Sequence, residues 1–147
     1  MDIKEYYTLV ENSIKALGVD PNVCKGEKEG QYNLKKGGAS VWIDIFDSQI
    51  NSRPYFQVMS PMLQIPQSNT EAFFQDLLEI NYELYSVAMV KFKDWIYLKF
   101  VRECEGLSQI EVDTAIDRVG FYSDDFYKKL SFKYKNDLAA PGANTDK

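Results

Sequence analysis

One helix-period stretch interrupts an otherwise strand-period chain, and that interruption decides what the sequence can become. In Pro66 to Asn81, PQSNTEAFFQDLLEIN, the apolar residues Phe73, Phe74, Leu77 and Leu78 recur as one stripe at helical spacing, while Gln75, Asp76 and Glu79 point elsewhere. Ser68 followed by Glu71 is the capping-box pattern, which predicts a helix starting at Ser68. Asn81 comes after the last apolar position and is expected to close the helix as a left-handed C-cap. The stripe has to be buried, and the strands on either side are what it can be buried against.

Before this helix lie three strand patterns. Gly30 to Ser48 reads as two strands joined at Lys36-Gly37-Gly38, since paired glycines tolerate the positive φ of a tight turn. In the second strand Val41, Ile43 and Ile45 alternate with Trp42, Asp44 and Phe46, so the two sets face opposite sides. In the third, Phe56 and Val58 alternate with Tyr55, Gln57 and Met59, and Pro61 predicts an edge, bend or bulge. After the helix, a second hairpin is expected to turn near Lys93-Asp94. Ala88, Val90, Phe92, Ile96, Leu98 and Phe100 are assigned to its core face, with Met89, Trp95 and Tyr97 opposite.

Helices close both ends. Ile3, Tyr6, Tyr7, Val10, Ile14 and Leu17 form an amphipathic stripe that Gly18 can terminate, and Asp20 to Gly30 reads as a loop. Ser108 with Glu111 starts a last helix whose stripe runs from Ile110 to about Leu130, with Gly120 as a point of bending. The predicted fold is α+β: a single antiparallel sheet of about five strands with helices on one face, in the order α-β-β-β-α-β-β-α. Residues 1–135 make one domain, and 136–147, small and polar with little to bury, make a flexible tail.

The composition removes several kinds of chemistry. The chain has no histidine, so imidazole-activated nucleophiles and imidazole-ligated metal centres are excluded together. Cys24 and Cys104 stand alone, far apart, in no metal-ligand spacing. Asp113 and Asp117 at i, i+4 have the spacing of an acid/base or metal pair, but a solvated helix face is the preferred account, since like charges at this spacing cost only about a few tenths of a kcal/mol. Gly37-Gly38-Ala39-Ser40 precedes a strand, where a phosphate-cradling loop would open a helix. No cofactor or metal is expected. Twenty-two acidic against 17 basic residues give a net charge of −5, which disfavours phosphate backbones. The local exception is Lys128, Lys129, Lys133 and Lys135 among Tyr127, Phe132 and Tyr134, a charge-and-stacking pattern that single-stranded nucleic acid uses. With no long apolar run and no cleavable leader pattern, the expected setting is cytoplasmic.

The element order resembles the type III secretion chaperone-like fold. From about Met1 to Lys135 the chain also resembles the YbjN family, bacterial proteins associated with sensory-transduction regulation. Leu77-Leu78 followed by Asn81, Glu105-Gly106-Leu107 leading into the last helix, and the run Asp124 to Leu130 (DDFYKKL) carry that likeness. These are structural signatures, so the resemblance implies no catalytic residue. It implies a chaperone-like or regulatory protein-binding module, with a protein or peptide partner and a homodimeric state. The side-chain parity supplies a candidate surface: Trp42, Phe46, Tyr55, Met59, Met89, Trp95 and Tyr97, all on the sheet face turned away from the helices. A small-ligand or nucleic-acid-binding domain, or an enzyme using carboxylates, stands as the alternative.

Overall fold

A computed structural model describes residues 2–139. Nine elements follow one another: α1 (Ile3–Ala16), α2 (Pro21–Cys24), β1 (Gln31–Lys36), β2 (Ala39–Asp47), β3 (Pro54–Gln64), α3 (Thr70–Glu83), β4 (Ala88–Phe92), β5 (Trp95–Glu103) and α4 (Gln109–Lys133). All five strands pair antiparallel in one sheet, in the order β1-β2-β3-β5-β4, so β1 and β4 are its edges. The α+β class, the single antiparallel sheet and the element order agree with the sequence reading. The addition is α2, a single turn capped by Asp20 with Pro21 at its start, inside the stretch expected to be loop. Four residues are too few to show a period.

One hydrophobic core fills the space between the sheet and the helices. Val41, Ile43, Ile45, Phe56, Val58, Ile96 and Leu98 meet Tyr6, Val10 and Ile14 of α1, Phe73 and Leu77 of α3, and Val112, Ile116 and Val119 of α4. The parity assigned to β2 and to Phe56 and Val58 of β3 is therefore the observed one. Gly120 belongs to this packing: a Cβ there would sit 2.6 Å from Lys36 Cγ, so glycine lets the β1–β2 turn lie close on α4. Pro61 sits beside a register shift between Pro61 and Leu63, where the extra residue Met62 bulges inward and is buried. The bulge lets proline occupy a strand that is central in the sheet.

The helix starts differ from one another. Ser108 caps α4 as expected, accepting a bond from Glu111 N–H. Ser68 does not cap α3: the helix begins at Thr70, Asn69 takes a left-handed φ of 58°, and Ser68 Oγ donates instead to Asp137 Oδ1 at 2.6 Å. Of the tail set at 136–147, residues 140–147 lie outside the described residues. Its first part is fastened, since Gln67 N–H donates to the Asp137 carbonyl at 2.7 Å and Leu138 is half-buried against the core.

Candidate functional site

Strand register places the side chains of the helix-free face in rows. Trp42 lies beside Met59, Met59 beside Lys99, and Lys99 beside Ala88. The adjoining row runs Pro61, Tyr97, Val90, and the next Gln64, Trp95, Phe92. Phe46 and Tyr55 form a separate stacked pair at the other end, their ring centroids 6.1 Å apart. Six of the seven proposed surface residues, Trp42, Phe46, Tyr55, Met59, Trp95 and Tyr97, thus share this face.

Met89 does not. It pairs with Leu98, whose side chain is fully buried under the helices, and is itself buried. The cause is the turn: Phe92 pairs with Trp95 across the two-residue loop Lys93-Asp94, and a two-residue hairpin fixes even positions of β4 against odd positions of β5. Ala88, Val90 and Phe92 consequently lie on the helix-free face, the reverse of the core assignment made for them. Phe92, 57% exposed, is a surface residue of this platform that alternation alone did not find. The Lys93-Asp94 turn was the signal that could have found it.

The platform has a filled centre and open flanks. Tyr97 is only 3% exposed, tucked beside Trp42 at 5.9 Å and Phe92 at 6.5 Å between ring centroids. It supports its neighbours and offers little contact area itself. Trp42, Met59 and Trp95 are half-buried, and Phe92 projects furthest. Lys99 stands within the apolar rows, and Lys35 reaches Ser40 Oγ at the β1 side. At the opposite end Asp44, half-buried, has its carboxyl raised by desolvation, with a bond from Gln31 and the charge of Lys28 working the other way. Glu103 meets Tyr55 and Arg53 there. Charge is therefore unevenly compensated on this face: Lys99 stands among apolar neighbours, while at the Phe46–Tyr55 end Asp44 has Lys28 nearby and Glu103 is paired with Arg53.

Other candidate chemistry is dispersed by the fold. Asp113 accepts a bond from Ser13, and Asp117 pairs with Lys36 at 2.8 Å, so the two do not act on one point. Among the described residues, the two carboxylates whose pKa values move, Asp44 and Asp76, lie on opposite sides of the sheet. Asp76 is lowered by bonds from Lys133 and Tyr134. Of the lysines at the end of α4, Lys128 pairs with Asp124, Lys129 with Asp125 and Lys133 with Asp76, and Lys135 lies over the Phe132 ring. Among the described residues no three His, Cys, Asp or Glu side chains gather as a metal site, and no helix is long and apolar enough to cross a membrane. A hollow of about 590 Å³ between the β1–β2 turn and α4 is a wide trough lined by Lys36, Asp117, Arg118, Phe121 and Asp124, with the Lys36–Asp117 pair along one wall. Both cysteines are buried, and burial pushes the Cys104 thiol up to about 11.

The fold is that of the type III secretion chaperones, and YbjN shares it. The ExsC–ExsE complex matches with a TM-score of 0.66 at 11% identity, covering 88% of this chain and 97% of that one. The Yersinia pestis type III secretion chaperone SycH, in complex with a fragment of YscM2, matches at 0.58 and 16% identity over 86% and 99%. YbjN from E. coli matches at 0.55 and 13% identity over 88% and 93%. No protein-family model matches the chain, and no curated protein matches its sequence.

Proposed function

We propose that the chain is a non-enzymatic, chaperone-like module that holds an apolar segment of a protein partner on the helix-free face of its sheet. The observation that carries this reading is the apolar strip of Trp42, Met59, Pro61, Val90, Trp95 and Phe92 on a face that, among the described residues, no helix covers. Each large side chain of a partner segment buried there contributes on the order of 1.5–3 kcal/mol before ordering costs. Lys99 within the strip favours a segment that mixes apolar residues with carboxylates. Solved structures of the same fold include a chaperone–effector complex, HopA1–SchA, and a chaperone bound to a fragment of its partner, which supports a protein ligand. A bacterial cytoplasmic setting, a secretion-linked or regulatory role and a homodimer belong to the same reading. The internal pairing of Lys128, Lys129 and Lys133 weighs against the nucleic-acid alternative.

The test is panning of a short-peptide display library against the native chain and against Trp42→Lys/Phe92→Lys. Enriched peptides should be apolar with interspersed acids and should lose binding to the variant. Peptides that bind both proteins equally would overturn the assignment of the face. Size-exclusion chromatography with light scattering tests the homodimer separately.

A further inference from the structure

The two edges of the sheet are closed in different ways. At β1 the segment after α2 lies alongside: Gly26 N–H donates to the Gln31 carbonyl at 2.8 Å, and Lys25 bridges to Tyr32. At β4 a single side chain does the work. Asn81 is not the C-cap of α3, which is Leu84. It sits one turn after Leu77 and two after Phe73, at the end of the helix's buried stripe, where that stripe reaches the rim of the sheet. Its carboxamide Oδ1 accepts from Met89 N–H at 2.7 Å, and its Nδ2 donates to the Met89 carbonyl at 3.2 Å.

A primary amide that donates and accepts with one strand residue presents the same pair of groups as the peptide of an added strand. In an antiparallel pair, alternate residues turn both main-chain groups outward, so Met89 and Lys91 are the outward positions of β4. Asn81 fills the first of them. We infer that Asn81 is an edge plug: its carboxamide occupies the strand-docking position at Met89 and bars a second copy of this chain from pairing β4 to β4. The inference is independent of what the far face holds. Only Lys91 is left to start an edge pairing, and one residue's groups are too few to register two strands. Asparagine fits the place because it carries donor and acceptor without the charge that aspartate would set against the Met89 carbonyl. The enclosed loop is short, eight residues from Asn81 to Met89, so little chain entropy opposes the contact.

The experiment follows main-chain hydrogen exchange and association state together. In the native chain the Met89 amide should exchange at least about tenfold more slowly than that of Lys91, because one is bonded and the other faces solvent. Asn81→Ala should remove that difference and raise the association state by one step, with mass rising with concentration in light scattering. Adding Lys91→Pro, which takes away an outward N–H and obstructs an edge, should restore the native mass. The inference is overturned if Met89 and Lys91 exchange alike in the native chain, or if Asn81→Ala has the native mass at every concentration. The exchange measurement needs no substitution, so it can overturn the inference even where the alanine variant does not fold.

Discussion

The far end of α4 is fastened to α3 through one carboxylate, and removing it should have a measurable, pH-dependent cost. Tyr134 Oη donates to Asp76 Oδ2 at 2.5 Å, and Lys133 Nζ lies 2.7 Å from the same oxygen. The two contacts are unequal. The Lys133 side chain is 61% exposed, so its ion pair contributes no more than about 1 kcal/mol. Tyr134 is 3% exposed and packs edge-on against Phe73, so its bond to a charged acceptor is worth about 1.5–3 kcal/mol. Asp76→Asn leaves a neutral acceptor for the hydroxyl and should cost about 1–2 kcal/mol at pH 7, and Asp76→Ala, which strands the hydroxyl, about 2–4. The Lys133 and Tyr134 bonds lower the folded-state pKa of Asp76, so the stabilisation is present above the ordinary aspartate pKa of about 3.9 and is lost as pH falls toward the folded value. Urea unfolding at pH 7 should therefore separate native and Asp76→Asn, and the gap should narrow below about pH 4. Asp76→Asn/Tyr134→Phe completes the cycle, and a coupling of at least about 0.5 kcal/mol is expected between residues in direct contact. A gap that is the same at both pH values, or an alanine variant as stable as the native chain, would refute the reasoning.

Three further outcomes follow from single contacts. Gly30→Ala should destabilise by about 2–4 kcal/mol in thermal unfolding, since φ is +87° and a Cβ would lie 2.6 Å from the Ile45 carbonyl and 2.7 Å from the Tyr7 ring. Ser60→Ala or Ser123→Ala alone should cost about 1–3 kcal/mol, because the two hydroxyls, 2.7 Å apart, are both buried and each is left without the other. The double alanine variant should recover part of that loss in denaturant titration. Cys104, fully buried with its thiol raised to about 11, should resist iodoacetamide at pH 8 in the native chain and react once urea is added.

Much of the fold was legible because its signals were one-sided. In β2 an aliphatic set alternates with a mixed aromatic and acidic set, so only one parity buries well, and Val41, Ile43 and Ile45 are where that predicts. β4 reads AMVKF, apolar at both parities, and alternation cannot choose between them. There the turn decides, and it sends Met89 inward and Phe92 outward. Ser68 misled because a capping box is a local pattern: the hydroxyl found Asp137, 69 residues on, and Asn69 took the helix start in a left-handed conformation. Two of the lysine pairs at the end of α4 were readable as i, i+4 partners, Asp124 with Lys128 and Asp125 with Lys129. The third, Lys133 with Asp76, joins distant segments and no spacing announces it. The plug at Asn81 was hidden for the same reason, its acceptor and donor being main-chain atoms of another element.

The inserted residue at Met62 acts as a phase slip in the middle strand. Up to Pro61 the even-numbered positions look toward the helices, and from Leu63 onward the odd ones do, so Trp42–Met59 and Gln64–Trp95 share a face while following opposite counting rules. The two ends of that face are thereby uncoupled in sequence. Substitutions can retune the aromatic end beside the β4–β5 turn without disturbing the alternation that seats the other end on the core.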